Sequence, residues 1–289
     1  MPEVRRFDDA RAFAEIAEPF LMRDEARHNL ELGTCNRLIE QGMGTYGPEP
    51  PYLAAALDAS GVVAIAMRTP PFHLLASVTE PDAFEALARD AWDRFPTLSG
   101  VMSDTPTATA FAAAWRDLTG HEPEDGMPQR IYRLATPPEV PDVSGSFRQC
   151  TRADRDLLVR WIREFSVEAM PDAPHQDPSE VVDGRVTETS STLCLWEDGD
   201  PVSLAGFGGL TPNGCRVGPV YTPPDRRGRG YAWACVATLS RRLLAEERNR
   251  FLFLFTDLGN PASNRVYLRM GYEPVCDMRD VRFRRSDAG

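Results

Sequence analysis

Three arginines crowd into one short stretch of a strongly acidic chain. Arg226, Arg227 and Arg229 are interleaved with Gly228 and Gly230 in Val217-Gly-Pro-Val-Tyr-Thr-Pro-Pro-Asp-Arg-Arg-Gly-Arg-Gly-Tyr-Ala232. The stretch reads as a strand, a glycine-rich loop and then the start of a helix. A helix start leaves its first amides without intrahelical acceptors, and the helix dipole places partial positive charge there. Glycine lets backbone wrap an anion with no Cβ in the way, and the arginines add full charge. Glycine and arginine also make ordinary solvated turns, but the order strand, loop, helix is the one a pyrophosphate site requires. The stretch lacks the G-K-[ST] of a P-loop and the G-x-G-x-x-G of a dinucleotide fold, and what remains is R-x-x-G-x-A at Arg227, Gly230 and Ala232.

A second constellation is Thr256-Asp-Leu-Gly-Asn-Pro-Ala-Ser-Asn-Arg-Val-Tyr-Leu-Arg-Met-Gly-Tyr272. Asn260 suits an N-cap, Pro261 the first helical position and Gly271 the residue just past the end. Asn264 and Tyr267 are three apart and share a helix face, where a phenol could donate a proton to a leaving group. From spacing alone, Tyr267 serves equally as a helix-to-sheet spacer and Asn264 as a solvated helix residue.

Together these motifs resemble the GNAT superfamily of N-acetyltransferases, over roughly Phe147 to Phe283. The resemblance implies that backbone amides from Arg227 to Ala232 (Arg227, Gly228, Arg229, Gly230, Tyr231 and Ala232) bind the pyrophosphate of coenzyme A. It implies that Val220, Tyr221 and Thr222 offer main-chain groups to the pantetheine arm and the acetyl carbonyl. Asn260 and Asn264 would lie against the same cofactor, and Tyr267 would stand beside the thioester sulfur as general acid. Acetyl-CoA would be the co-substrate, with no metal, and the acceptor a primary amine attacking directly in a ternary complex. No motif fixes the base. Glu168, Asp177 and Glu188 are candidates, each equally readable as a surface carboxylate, with Glu168 preferred because it ends the first helix of the domain, a region that borders the acceptor site in relatives.

The elements that must position these residues alternate. Phe147–Cys150 reads as a strand and Arg152–Met170 as a helix with Leu157, Leu158, Trp161, Ile162 and Phe165 at helical spacing. Strands follow at Thr192–Trp196, Val202–Leu210 and Arg216–Thr222, with Asn213-Gly214 suited to a positive-φ hairpin turn. Tyr231–Glu247 is an amphipathic helix, Phe251–Thr256 an apolar central strand and Pro261–Met270 a helix, with strands at Tyr272–Val275 and Val281–Phe283. The first half repeats the rhythm: helices at Ala26–Ile39, Ala83–Phe95 and Ala108–Leu118, and strands at Tyr52–Leu57, Val62–Met67, His73–Ser77, Leu98–Ser103 and Arg130–Leu134. The fold class expected is α+β, in two similar domains, each a mixed, mostly antiparallel sheet flanked by helices. The proline-rich stretch 136–146 reads as the join, giving domains at 1–136 and 147–289 with a linker at 137–146. The first domain lacks both motifs: after its strand His73–Ser77 comes Val78-Thr-Glu-Pro-Asp82, with acids where arginines would be needed.

Composition narrows the function classes. A net charge of −11 opposes a nucleic-acid platform, no apolar stretch is long enough to span a bilayer, and the start MPEVRRFDDARAF lacks a signal peptide's apolar core. A cytoplasmic protein is the expectation. Cys35, Cys150, Cys194, Cys215, Cys235 and Cys276 are scattered, with no C-x-x-C pair, which points to free thiols rather than zinc ligands or disulfides. The competing functions are a non-catalytic acyl-CoA sensor and a protein whose first half binds a partner. That half could also shape the acceptor pocket, stabilise its neighbour or build a homodimer.

Overall fold

The computed structural model describes residues 1–171, 174, 176–187 and 192–284. Glu188, a candidate base, lies outside the described residues. The chain forms two compact units, one of Met1–Ile131 with the chain from Cys276 onward, the other of Tyr132–Val275. Both mix helices with a largely antiparallel sheet, so the α+β expectation holds.

In the first unit, β1 (Glu3–Arg6) is followed by α1 (Ala10–Leu21), α2 (Asn29–Gln41), β2 (Tyr52–Asp58), β3 (Gly61–Arg68), β4 (Leu74–Val78), α3 (Asp82–Arg94), β5 (Gly100–Asp104), α4 (Thr105–Thr119) and β6 (Glu122–Asp125), and β7 (Gln129–Leu134) begins in it and ends in the second unit. Alternation along β2 divides the core in two. Tyr52, Ala54 and Ala56 pack with α3 and α4, and Leu53 and Ala55 with α1 and α2. Helix α4 is stopped at both ends by local chemistry: the Asp104 carboxylate accepts the Thr107 amide at 3.3 Å, and Gly120 takes φ 73° past the last turn.

The second unit runs β8 (Ser146–Gln149), α5 (Arg155–Ala169), α6 (Pro178–Thr187), β9 (Thr192–Asp198), β10 (Asp200–Thr211), β11 (Gly214–Tyr221), α7 (Tyr231–Leu244), β12 (Phe251–Asp257) and α8 (Pro261–Arg269). Its strands are ordered β12-β11-β10-β9-β8, antiparallel except for the parallel pair β11–β12. One sheet face packs Cys194, Val217 and Leu252 under α7. The other packs Leu193, Leu204 and Tyr221 against Leu158, Trp161 and Ile162 of α5 and Val182 of α6. The first unit has the same succession, β-α-α-β-β-β-α-β-α, and the same lone parallel pair in β4–β5. The duplication expected from the sequence is therefore present as architecture.

Three differences have physical reasons. The chain after Gly271 forms one strand, β13 (Glu273–Arg284), rather than two. From Cys276 onward it belongs to the first unit, pairing with β5 and β6 and burying Val281 completely. Helix α6 was not expected, because its apolar residues Val181, Val182 and Val186 are few and β-branched. Gly214 does not take a positive φ; a Cβ there would run into the Phe251 carbonyl, so the glycine serves close strand approach.

Candidate active site

The parallel ladder between β11 and β12 is short. It runs from Gly214↔Phe251 to Arg216↔Phe253, and beyond it Val217–Tyr221 and Leu254–Asp257 have no residues paired with one another. Two parallel strands that part at their C-terminal ends leave a fork lined by unpaired backbone groups. Buried amides and carbonyls require partners, so such a fork suits an extended, amide-bearing ligand. Val220, Tyr221 and Thr222 form one arm, and β12 leads through Asp257 to α8 on the other.

The first arm runs into the arginine loop. Gly228 and Gly230 adopt φ 77° and 83°, a region closed to side chains without strain, which accounts for both glycines. Gly230 is also the N-cap of α7, so no side chain caps the helix, and the first intrahelical bond is Ala234 N to Gly230 O at 2.9 Å. The amides of Tyr231, Ala232 and Trp233 therefore point out of the helix start with no intrahelical acceptor. The Tyr231 ring is buried, and its hydroxyl donates to Asp198 at 2.6 Å, holding that carboxyl below its ordinary range. What Tyr231 offers the loop is its backbone. Arg229 Nη2 reaches the Asp225 carbonyl at 3.4 Å.

Arg227 reaches back across this loop. Its Nε donates to the Thr222 carbonyl at 2.9 Å and its Nη2 to Glu168 Oε2 at 2.6 Å. Both side chains are about half exposed, 43% and 53%, so the pair stabilises the fold by only about 0–1 kcal/mol. One helical turn earlier, Glu164 accepts the Tyr221 hydroxyl at 2.8 Å; burial, then this carboxylate, pushes the phenol up to about 12. Glu164 was not singled out from sequence. Its only signal there is the i, i+4 spacing to Glu168 on one helix face. Asp177, the other candidate base, accepts the Ser179 amide at 2.8 Å and caps α6.

On the far arm, Asn260 caps α8 by accepting the Ser263 amide at 3.1 Å. Asn264 donates to the Asp257 and Asn260 carbonyls, each at 2.8 Å, and accepts from Thr256 Oγ1 at 2.7 Å and Tyr132 at 3.0 Å. These four bonds fill the amide's capacity and tie the end of β12 to the start of α8. Tyr267 is then set by α8 itself. Its ring meets Tyr272 edge-to-face at 5.6 Å and borders the core under α7, as Val220 does. Its hydroxyl has no hydrogen-bond partner among the described residues, and burial raises its pKa to about 12.

Residues 156–272, which contain both the fork and the loop, match the model of the acetyltransferase (GNAT) family. Over those residues the chain is similar to the GNAT acetyltransferases. The solved structures it resembles extend the fold to the whole chain. A tandem GNAT protein from the clavulanic acid biosynthesis pathway, solved without AcCoA, is 12% identical, with 99% of this chain and 100% of that chain covered at a TM-score of 0.54. A GNAT acetyltransferase from Colwellia psychrerythraea is 11% identical (97% and 98% covered, TM-score 0.57). A GCN5-related N-acetyltransferase from Sphaerobacter thermophilus is 15% identical (96% and 95% covered, TM-score 0.58). No curated protein matches the sequence. At these identities the likeness is one of fold. A GNAT fold implies an acyl-CoA and an acceptor. Among the described residues no helix is long and apolar enough to cross a membrane, and no group of three or more His, Cys, Asp or Glu could hold a metal ion.

The first GNAT-like unit differs at the corresponding fork. Strands β4 and β5 pair at Leu74↔Val101 and Leu75↔Met102, and just beyond, Ser103 Oγ donates to the Ala76 carbonyl at 2.5 Å. A side chain bridges the gap that stays open in the second unit. Helix α3, where the arginine loop would lead, carries Asp82 and Glu85 in its first turn, so its N-terminal dipole already faces carboxylates.

Proposed function

We propose that this protein transfers an acetyl group from acetyl-CoA to a primary amine by direct attack, using the second unit only. The observation that carries this reading is the continuity of the open β11–β12 fork with an uncapped helix start behind two left-handed glycines. The fork fits an amide-bearing pantetheine arm, with Val220, Tyr221 and Thr222 along it. The amides from Gly228 to Ala232 fit the pyrophosphate, with Arg227 and Arg229 supplying charge, while Asn260 and Asn264 fix the far wall. When bound, acetyl-CoA supplies an acyl carbon activated by a thiol leaving group.

The chain's own residues then handle protons. The amine must be neutral to attack, and Glu168 is the carboxylate proposed to take its proton once the Arg227 guanidinium is drawn toward phosphate. The amine nitrogen bonds to the acetyl carbon as the carbon–sulfur bond breaks, and the sulfur takes its proton from Tyr267. A phenol at about 12 stays protonated at neutral pH, and a leaving thiolate desolvated beside it becomes more basic as well, which narrows the gap between them. No cysteine is poised to carry the acetyl group instead: burial raises all six thiols above their ordinary range.

The test is release of free CoA from acetyl-CoA across a panel of amines, with the acetylated product weighed by mass spectrometry. Binding of CoA without acetylation of any amine favours a non-catalytic acyl-CoA sensor.

A further inference from the structure

Alternation along β11 sends Cys215 and Val217 into the core under α7, so Arg216 between them stands on the opposite face. Arg216 is also the last β11 residue paired with β12, which places it at the vertex of the fork. Its guanidinium lies 5.7 Å from the ring centre of Phe255 on the other arm. On the same face, Arg185 of α6 donates through Nη1 to the Gly218 carbonyl at 2.8 Å, two residues further along β11. Two glycines of β10 face these guanidiniums. A Cβ on Gly209 would come within 2.9 Å of Arg216 Nη2, and one on Gly206 within 3.2 Å of Arg185 Nη1. Glycines inside a strand mark a close approach; at Gly209 the Arg216 guanidinium makes it, and at Gly206 Leu193 and the Thr192 carbonyl make it with Arg185 just behind.

Helix α7 packs on the other face of the sheet, while α5, whose Glu168 is the proposed base, packs on this one. A nucleophile meeting an acyl group held in the fork therefore comes past Arg216 and Arg185. Resting on the transferase reading above, we propose that these two arginines seat an anionic group of the acceptor. The acceptor is then an amine that bears a carboxylate close to its reacting nitrogen. A guanidinium matches a carboxylate through two parallel hydrogen bonds, and an aromatic ring behind it fixes its plane. The same positive charge disfavours the ammonium form of an amine held beside it, which helps deliver a neutral nucleophile.

The experiment compares kcat/KM for three α-amino acids, phenylalanine, leucine and lysine, with their decarboxylated counterparts phenethylamine, isoamylamine and cadaverine, on the full chain. The carboxylate-bearing member should be preferred by about 10-fold or more, the scale of a lost charge-assisted hydrogen bond. Arg216→Gln should abolish the preference without changing the Kd for CoA, and Arg216→Lys should restore part of it. Arg185→Gln is the independent second variant, expected to lower the same preference. Equal or better use of the decarboxylated amines overturns the proposal. So does a preference that survives both glutamine variants, or CoA binding with none of the six compounds acetylated. Failure of the transferase reading itself would show differently, as no CoA released from acetyl-CoA with any amine of the wider panel.

Discussion

Arg227 of the glycine loop and Glu168 of α5 meet at 2.6 Å, so the loop proposed to take pyrophosphate is joined to the helix proposed to border the acceptor. The contact is a weak, solvated ion pair, and a diphosphate carries more charge than one carboxylate. Reversing the charge in Arg227→Glu removes the attraction and sets two carboxylates against each other. Affinity for CoA should fall by at least the ~1.5–3 kcal/mol of a charge-assisted contact, with no matching loss for a pantetheine fragment lacking phosphate. Calorimetry on both ligands checks it; equal losses would place the loop away from the phosphates.

Glu168→Gln separates two roles. As the amine's base, Glu168 should lower kcat by ~10²-fold or more when neutralised, with CoA bound at least as tightly because a competitor for Arg227 is gone. Unchanged kcat with tighter CoA would leave Glu168 as a partner of Arg227 alone.

Tyr267→Phe keeps the ring against Tyr272 and removes a hydroxyl with no bond to lose. We expect kcat down by ~10²-fold or more, with melting temperature and CoA affinity unmoved. Burial raises this phenol to about 12, so its protonated, active form persists as pH rises and is lost only near that value. The rate should therefore show no alkaline limb from Tyr267 at pH 8 or 9; a fall there that vanishes in the phenylalanine variant would contradict the assignment.

One CoA should bind per chain. Ser103 bridges the first unit's fork, and Asp82 and Glu85 occupy the helix start where phosphate would need positive charge. A calorimetric stoichiometry of two sites per chain would refute this.

Stability of the first unit should be separable from binding by the second. Trp115 is wholly buried and stacks on Phe283 at 5.2 Å. Trp115→Ala should destabilise the first unit by about 3–5 kcal/mol, yet leave CoA affinity unchanged. Denaturant unfolding followed alongside CoA titration tests both statements.

The loop was legible in the sequence because its chemistry is local. Gly228 and Gly230 are required by their own φ angles, and Arg227 lies in a run that breaks an acidic background. Asn260 and Pro261 announced the start of α8 for the same reason. Glu164, Arg185 and Arg216 gave no such signal, since each acquires its place from a strand or helix distant along the chain. Helix α1 carries Phe13, Ala17, Phe20 and Leu21 at helical spacing, but Pro19 interrupts that pattern near its end and weakens the local signal. Alternation marks a strand but not its partner, and the strand after Gly271 shows the difference. Its residues look the same whether they pair within the second half or return to the first.

That return has a bearing on synthesis. Arg130 and Asp277, held by paired hydrogen bonds of 2.5 and 2.9 Å in the first unit, are 147 positions apart in the chain. A ribosome making about 5–20 residues per second has finished the other strands of the first unit many seconds before it supplies the one that buries Val281. Until then the edge of β5 is open and the Trp115 ring lacks Phe283. The nascent first unit waits exposed while the second unit is still being translated. Stalling within that interval should leave a chain that chaperones hold and proteases cut, whatever the stability of the finished protein.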